Sequence, residues 1–125
     1  DWLIRELLAL QEHDPDATLA VILRSAESAR RMARGLSRGL PVRLALDGSF
    51  DFQRGVSVTC VAEVKGLEFE YVLLPDASSA AYPESAQARR ALYVAATRAT
   101  QQLVLGTSAE WSPILVETGL VQRAG

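Results

Sequence analysis

Five short apolar blocks separated by helical stretches constrain this chain more than any other feature. They fall at 19–23, 42–46, 56–61, 70–74 and 103–105. A strand that shows one face to water alternates apolar and polar residues, whereas a strand covered on both faces reads as a continuous apolar run. The block at 19–23 is of the second kind. Helical patterns lie between and around the blocks. Trp2, Leu3, Leu7 and Leu10 have helical spacing, and Asp14-Pro15-Asp16 is a turn signal. Ser25 is placed to cap a helix with Glu27 in its first turn. That helix buries Ala29, Met32, Ala33 and Leu36 and ends at Gly39 and Pro41. Asp47-Gly48 marks a turn, and residues 76–85 read as a Ser- and Ala-rich loop. A helix covers 86–98, and a short one covers about 112–119, with Pro113 tolerated in its first turn. Strands alternating with helices predict an α/β fold with a mainly parallel sheet.

At 125 residues with 49% hydrophobic composition, the chain has room for one domain with a real core. No apolar run approaches the length of a membrane span, and no signal peptide is evident. The single Cys60 and single His13 exclude a Cys/His zinc site and an internal disulfide. These features predict a cytoplasmic protein. The chain begins at Asp1 rather than Met, which suggests a piece of something longer.

Basic residues exclude more. Of 13 Lys and Arg residues, Lys65 is the only Lys, leaving 12 Arg. A phosphate-binding loop of the Gly-x-x-x-x-Gly-Lys-Ser/Thr kind needs a Lys after its glycines. Lys65 precedes Gly66, so the order is reversed and the chain holds no such loop. Net charge is only −2, so the domain as a whole is not a polybasic nucleic-acid binder. Residues 24–43 nevertheless hold six Arg against one acid, Glu27. Arg30, Arg31, Arg34 and Arg38 share a helix face, which serves either as a solvated surface or as a contact for phosphates.

Two segments carry candidate chemistry. Lys65-Gly66-Leu67-Glu68-Phe69 follows a strand, near the edge where ligands bind in open parallel sheets. Gly66 permits close backbone approach, Lys65 can meet a phosphate, and Glu68 can accept from a sugar hydroxyl. A plain surface turn is the alternative. In the helix at 86–98, Arg90, Tyr93, Thr97 and Arg98 lie near one another at spacings of three and four. Arginine suits bidentate phosphate recognition; a solvated basic face is the alternative.

The segment from Val58 to Phe69, followed by Tyr93-Val94-Ala95-Ala96-Thr97-Arg98-Ala99, resembles the C-terminal motor domain of UvrD/Rep-like superfamily 1 DNA helicases. Those proteins carry a Lys-Gly-Leu-Glu-Phe core, motif V. A Tyr-Val-Ala-x-Thr-Arg-Ala block, motif VI, follows some 25 residues later. Val21-Ile22-Leu23-Arg24 is similar to motif IV. The resemblance spans about residues 18–107. It implies a RecA-like three-layer domain over 18–125, preceded by an N-terminal helix and linker at 1–17. It also implies half of an ATP site, with the P-loop and Mg²⁺-binding acids on a partner motor domain of the same protein. By position, Arg98 is the catalytic arginine finger and Arg24 the motif IV arginine, both near ATP. Gly66 and Glu68 would lie at the nucleotide, and Thr59, Cys60 and Lys65 would face single-stranded DNA or a duplex junction.

The chain departs from the family pattern at several positions. Leu23 stands where an aromatic usually stacks on adenine. Cys60 and Ala62 replace a Thr and a His. Ala88 replaces an acid. The subdomain that larger members insert before motif V is absent. The resemblance thus implies the second motor half of an ATP-dependent helicase, inactive alone. The alternatives are a non-catalytic RecA-like module that docks a protein partner, and a translocase that remodels a protein–nucleic acid complex.

Overall fold

The computed structural model of the chain describes residues 2–46 and 54–119; the turn expected at Asp47-Gly48 lies outside them. The described elements are α1 (Trp2–His13), β1 (Thr18–Leu23), α2 (Ala26–Leu36), β2 (Arg43–Leu44), β3 (Gly55–Cys60), β4 (Phe69–Leu74), α3 (Ala86–Ala96), β5 (Ala99–Leu105) and α4 (Pro113–Thr118), with a 3₁₀ turn at Val61–Glu63. The five strands form one sheet in the order β2-β3-β1-β4-β5, and every pairing is parallel.

Strand alternation sorts the core into two layers. On one face, Leu19, Val21 and Leu23 of β1 and Val56, Val58 and Cys60 of β3 pack with Leu3, Leu7 and Leu10 of α1 and Ala29, Ala33 and Leu36 of α2. On the other, Ala20 and Ile22 of β1 and Val72 and Leu74 of β4 pack with Ala88, Leu92 and Ala95 of α3 and Ile114 and Leu115 of α4. Helices therefore cover both faces, and β1 is apolar from Leu19 to Leu23 because it is central. The result is a RecA-like three-layer α/β domain without a P-loop of its own.

Local chemistry agrees with the reading of the helix ends. The Ser25 hydroxyl accepts from the Ser28 N–H at 3.2 Å, and Ser85 does the same for Ala88 at 3.0 Å. Met32 is only half-buried, unlike its three apolar neighbours on α2. Residues 1–17 supply Leu3, Leu7, Leu10 and Ala17 to the same core as the rest, so α1 is built into the domain. Its first residue is fixed at the far side of the sheet. A Cβ built on Gly106 would sit 2.2 Å from the Trp2 ring, so only glycine lets that ring lie against the end of β5.

The connections place the loops. From β1 the chain crosses through α2 to the β2 edge and returns through β3. It then passes over β1 by residues 61–68 to reach β4. The connection leaving β1 runs to one side of the sheet and that leaving β4 to the other, so the gap between β1 and β4 is a topological switch point.

Candidate functional site

The crossover at 61–68 alternates between anchored and free residues. Val64 is fully buried and Leu67 half-buried, whereas Lys65, Gly66 and Glu68 are exposed. Val64 N–H donates to Val61 O at 3.3 Å and Leu67 N–H to Val64 O at 3.0 Å, giving two successive tight turns. Gly66 sits between them at φ +82°, the left-handed region that favours glycine. A Cβ there would meet no heavy atom within 4 Å, so the space above this backbone is open.

The end of α3 lies against this crossover. Thr97 caps the helix, and its hydroxyl donates to Tyr93 O at 2.8 Å. The half-buried Arg98 donates from Nε to Val94 O at 2.9 Å and from Nη1 to Leu67 O at 3.3 Å. Its Nη2 donates to Thr97 Oγ1 at 3.0 Å. A cation at a helix C-terminus is favourable because the last carbonyls lack partners and carry partial negative charge. The Arg98 carbonyl accepts from Phe69 N–H at 2.9 Å, joining the two segments through the backbone as well. The structure thus brings Arg98 to Leu67, the residue between Gly66 and Glu68, at the amino ends of β4 and β5 rather than at the carboxyl edge expected from the sequence.

Arg24 is elsewhere. It follows the carboxyl end of β1, whereas Arg98 precedes the amino end of β5. Val21 pairs with Leu73 and Ala99 with Phe69, so Leu23 and Ala99 lie about six residues apart along the strands. At roughly 3.3 Å per residue that is about 20 Å. The Arg24 Nε donates to Ala81 O at 3.2 Å, and its guanidinium lies 5.6 Å from the centre of the Tyr82 ring. Tyr82 is 1% exposed, and its hydroxyl has no hydrogen-bond partner among the described residues. Burial pushes its pKa up to about 12, against a smaller opposing effect from Arg24. The structure does not bring Arg24 together with Arg98.

The expected strand-facing residues also separate. Thr59 is 0% exposed and Cys60 4%. Strand alternation turns Cys60 into the α1/α2 layer, and burial raises its thiol pKa. Thr59 points to the other layer, where its Oγ1 is buried with no hydrogen-bond partner among the described residues. Neither side chain has a surface to offer a nucleic-acid strand; Lys65 does.

Tyr82 was not legible as a functional neighbour, although an aromatic inside a Ser/Ala loop was a usable signal. Its segment is tied down at several points. Ser112 Oγ donates to Tyr82 O at 2.6 Å, and Tyr82 N–H donates to Ser78 O at 2.9 Å. Arg89 of α3 pairs with Glu84 and Glu117. The hydrogen bond from Arg89 raises its own pKa and lowers that of Glu117. Among the described residues no group of three His, Cys, Asp or Glu side chains is placed to hold a metal ion, and no helix is long and apolar enough to cross a membrane.

An all-parallel sheet with helices on both faces, and an arginine-capped helix end seated on a Lys-Gly-Leu-Glu crossover, define a RecA-like α/β domain. Comparison with known proteins places it more narrowly. The UvrD-like helicase C-terminal domain family matches residues 55–105, which hold both the crossover and the arginine. The chain is also similar to the crystal structure of the C-terminal domain of a possible DNA helicase from Lactobacillus plantarum WCFS1. That match has a TM-score of 0.74 and 27% identity, covering 90% of this chain and 69% of the other. No curated protein matches. The chain thus resembles the UvrD-like helicase C-terminal domain over residues 55–105, and the C-terminal domain of that possible DNA helicase over most of its length.

Proposed function

We propose that this chain is the C-terminal motor half of an ATP-dependent DNA helicase or translocase. It completes an ATP site whose P-loop lies on a partner motor domain of the same protein. The observation that carries this reading is the contact of Arg98 with Leu67, which puts a guanidinium beside exposed Gly66 and Glu68.

The residues fit a nucleotide approaching from outside. Gly66 leaves open space over its backbone, Glu68 offers an exposed carboxylate to a ribose hydroxyl, and Arg98 offers charge-assisted donors to a terminal phosphate. Bound ATP supplies the phosphoryl group that is transferred to water. Arg98 would stabilise the charge spread over that group as the bond to the leaving diphosphate breaks. To reach it, the Arg98 fork would release Leu67 O or Thr97 Oγ1 as the cleft closes. Mg²⁺ would be held by the partner domain, since the described residues offer no carboxylate cluster for it. Lys65, exposed beside Gly66, would contact the phosphates of a DNA strand. Arg24 would hold the β4–α3 loop at the opposite edge. The protein would work in the cytoplasm, with residues 1–17 as a helix and linker packed onto the motor domain.

The test compares the chain with the full-length protein. The purified chain should show no magnesium-dependent ATP hydrolysis, whereas the full-length protein should turn ATP over and be stimulated by single-stranded DNA. Hydrolysis by the chain alone would overturn the reading.

A further inference from the structure

Thr97 and Arg98 are consecutive at the end of α3, and their side chains meet. The Thr97 hydroxyl oxygen lies 2.8 Å from Tyr93 O and 3.2 Å from Val94 O. Threonine at the end of a helix bonds back to such carbonyls readily. The hydroxyl has a single proton, and the carbonyls take it. Toward Arg98 it can then only accept, because a guanidinium has five N–H donors and no acceptor. Arg98 Nη2 donates to it at 3.0 Å. Threonine is branched at Cβ, so this oxygen has few other positions to visit. The donors of Arg98 can be counted. Nε is used on Val94 O, one N–H of Nη1 on Leu67 O and one of Nη2 on Thr97 Oγ1. One N–H on each Nη nitrogen is left without a partner among the described residues, the pair that a bidentate contact with an anion needs.

We infer that Thr97 is the positioning residue of Arg98: its hydroxyl keeps the guanidinium oriented once Leu67 O is given up. The three acceptors differ in what they ride on. Val94 lies in α3 and Thr97 is its cap, so both move with Arg98, whereas Leu67 belongs to the crossover at 61–68. With Leu67 O released, Nε and Nη2 still tie the guanidinium to the helix end at two points, and both N–H groups of Nη1 are free. Without Thr97 Oγ1, Nε alone would hold the group, and one bond leaves it free to swing. A side chain ordered before its ligand arrives loses less freedom on binding. The hold on Arg98 stands on these hydrogen bonds alone. Its effect on hydrolysis rests on the proposed function and deepens it by naming the contact that closure keeps.

Two measurements test this. In the chain, with no nucleotide, NMR on labelled arginine reads rotation of the Arg98 guanidinium about Nε–Cζ, the signal being assigned by its loss in Arg98→Lys. Thr97→Val keeps the shape of the side chain and removes the oxygen. It should speed that rotation about tenfold, the effect of losing one hydrogen bond to a charged group, and Thr97→Ser should return it close to wild type. Thermal unfolding checks that the Thr97→Val chain is folded; if it is not, Thr97→Ala carries the same expectations. In the full-length protein, Thr97→Val should lower kcat at saturating Mg·ATP by about tenfold and change KM far less, with most of the rate restored by Thr97→Ser. In an Arg98→Ala background, read by single turnovers, Thr97→Val should lower the rate no further, whereas a general loosening of the helix end would. Unchanged rotation in Thr97→Val overturns the inference, whatever hydrolysis does. Faster rotation with unchanged kcat, where Arg98→Ala is inactive, overturns the part Thr97 plays in hydrolysis and leaves the ATP-site reading standing. Full activity of Arg98→Ala overturns that reading, and the part of Thr97 in hydrolysis with it.

Discussion

The two ends of the sheet hold one arginine each from the same inferred set, and they are built for different work. At the amino end, Arg98 caps α3 and reaches the crossover beside an open glycine and an exposed carboxylate. At the carboxyl end, Arg24 lies over the ring of a buried tyrosine and holds the carbonyl of Ala81. Both are half-buried, and the sequence resemblance implies a helicase motif for each. What differs is the neighbourhood: Arg98 has polar groups around it that a ligand could share, and Arg24 has an aromatic face and a packed loop. Position in a motif names a residue, but its neighbours decide what its guanidinium can do.

The contrast can be broken at either end, and the largest effect belongs to the amino edge. Arg98→Lys keeps a cation but loses the fork that binds in two directions. In the full-length protein it should remove most of the ~10³–10⁵ in rate that arginine fingers contribute, read as kcat at saturating ATP. A rate near wild type would show that charge alone suffices and that the fork geometry is irrelevant.

At the carboxyl edge the sharper probe is pH. Burial raises the Tyr82 pKa from an ordinary value near 10 to about 12. The folded state therefore keeps its proton where the unfolded state has lost it. That stability is present in full below pH 10 and is lost as pH rises from 10 through 12, by up to ~3 kcal/mol. Denaturant unfolding of the chain across that window should show the decline. Tyr82→Phe should abolish this component and cost little at neutral pH, since it removes a buried hydroxyl that has no partner among the described residues.

Arg24→Ala should cost about 1–2 kcal/mol of stability, from the lost contact with the Tyr82 ring and the bond to Ala81. In a double-mutant cycle with Tyr82→Leu, the two losses should be less than additive. Strict additivity would show that Arg24 and Tyr82 do not act together. Gly66→Ala should have the smallest effect, about 1 kcal/mol by thermal unfolding, because open space removes the clash and leaves only the left-handed backbone penalty.

Much of the fold was legible because its central strands are covered on both faces. The runs at 19–23 and 71–74 are apolar because neither side of those stretches of β1 and β4 meets water, and such runs leave little choice of element. Edges were harder. The run at 42–46 shrinks to Arg43–Leu44, since one flank of β2 is free and Leu44 is exposed. The start of β5 was missed for the same reason: Thr100, Gln101 and Gln102 are exposed and show no apolar pattern, yet Phe69 and Tyr71 pair with this segment. At the site, the Lys65–Glu68 crossover and the Arg98 helix were visible as residues but not as neighbours. Their contact runs through the carbonyls of Leu67 and Val94, and sequence carries no sign of a carbonyl's partner. Thr59 and Cys60 lie on β3, whose burial on both faces follows from its place between β2 and β1 rather than from its own residues.

The central claim is that Arg98 acts on a nucleotide held by another domain. It is tested most directly by ATP hydrolysis at saturating Mg·ATP in the full-length protein carrying Arg98→Ala, with nucleotide affinity measured in parallel. The account predicts a kcat lower by ~10³ or more, with affinity changed far less, because the lost interaction belongs to the transition state. A kcat within a few-fold of wild type would contradict it.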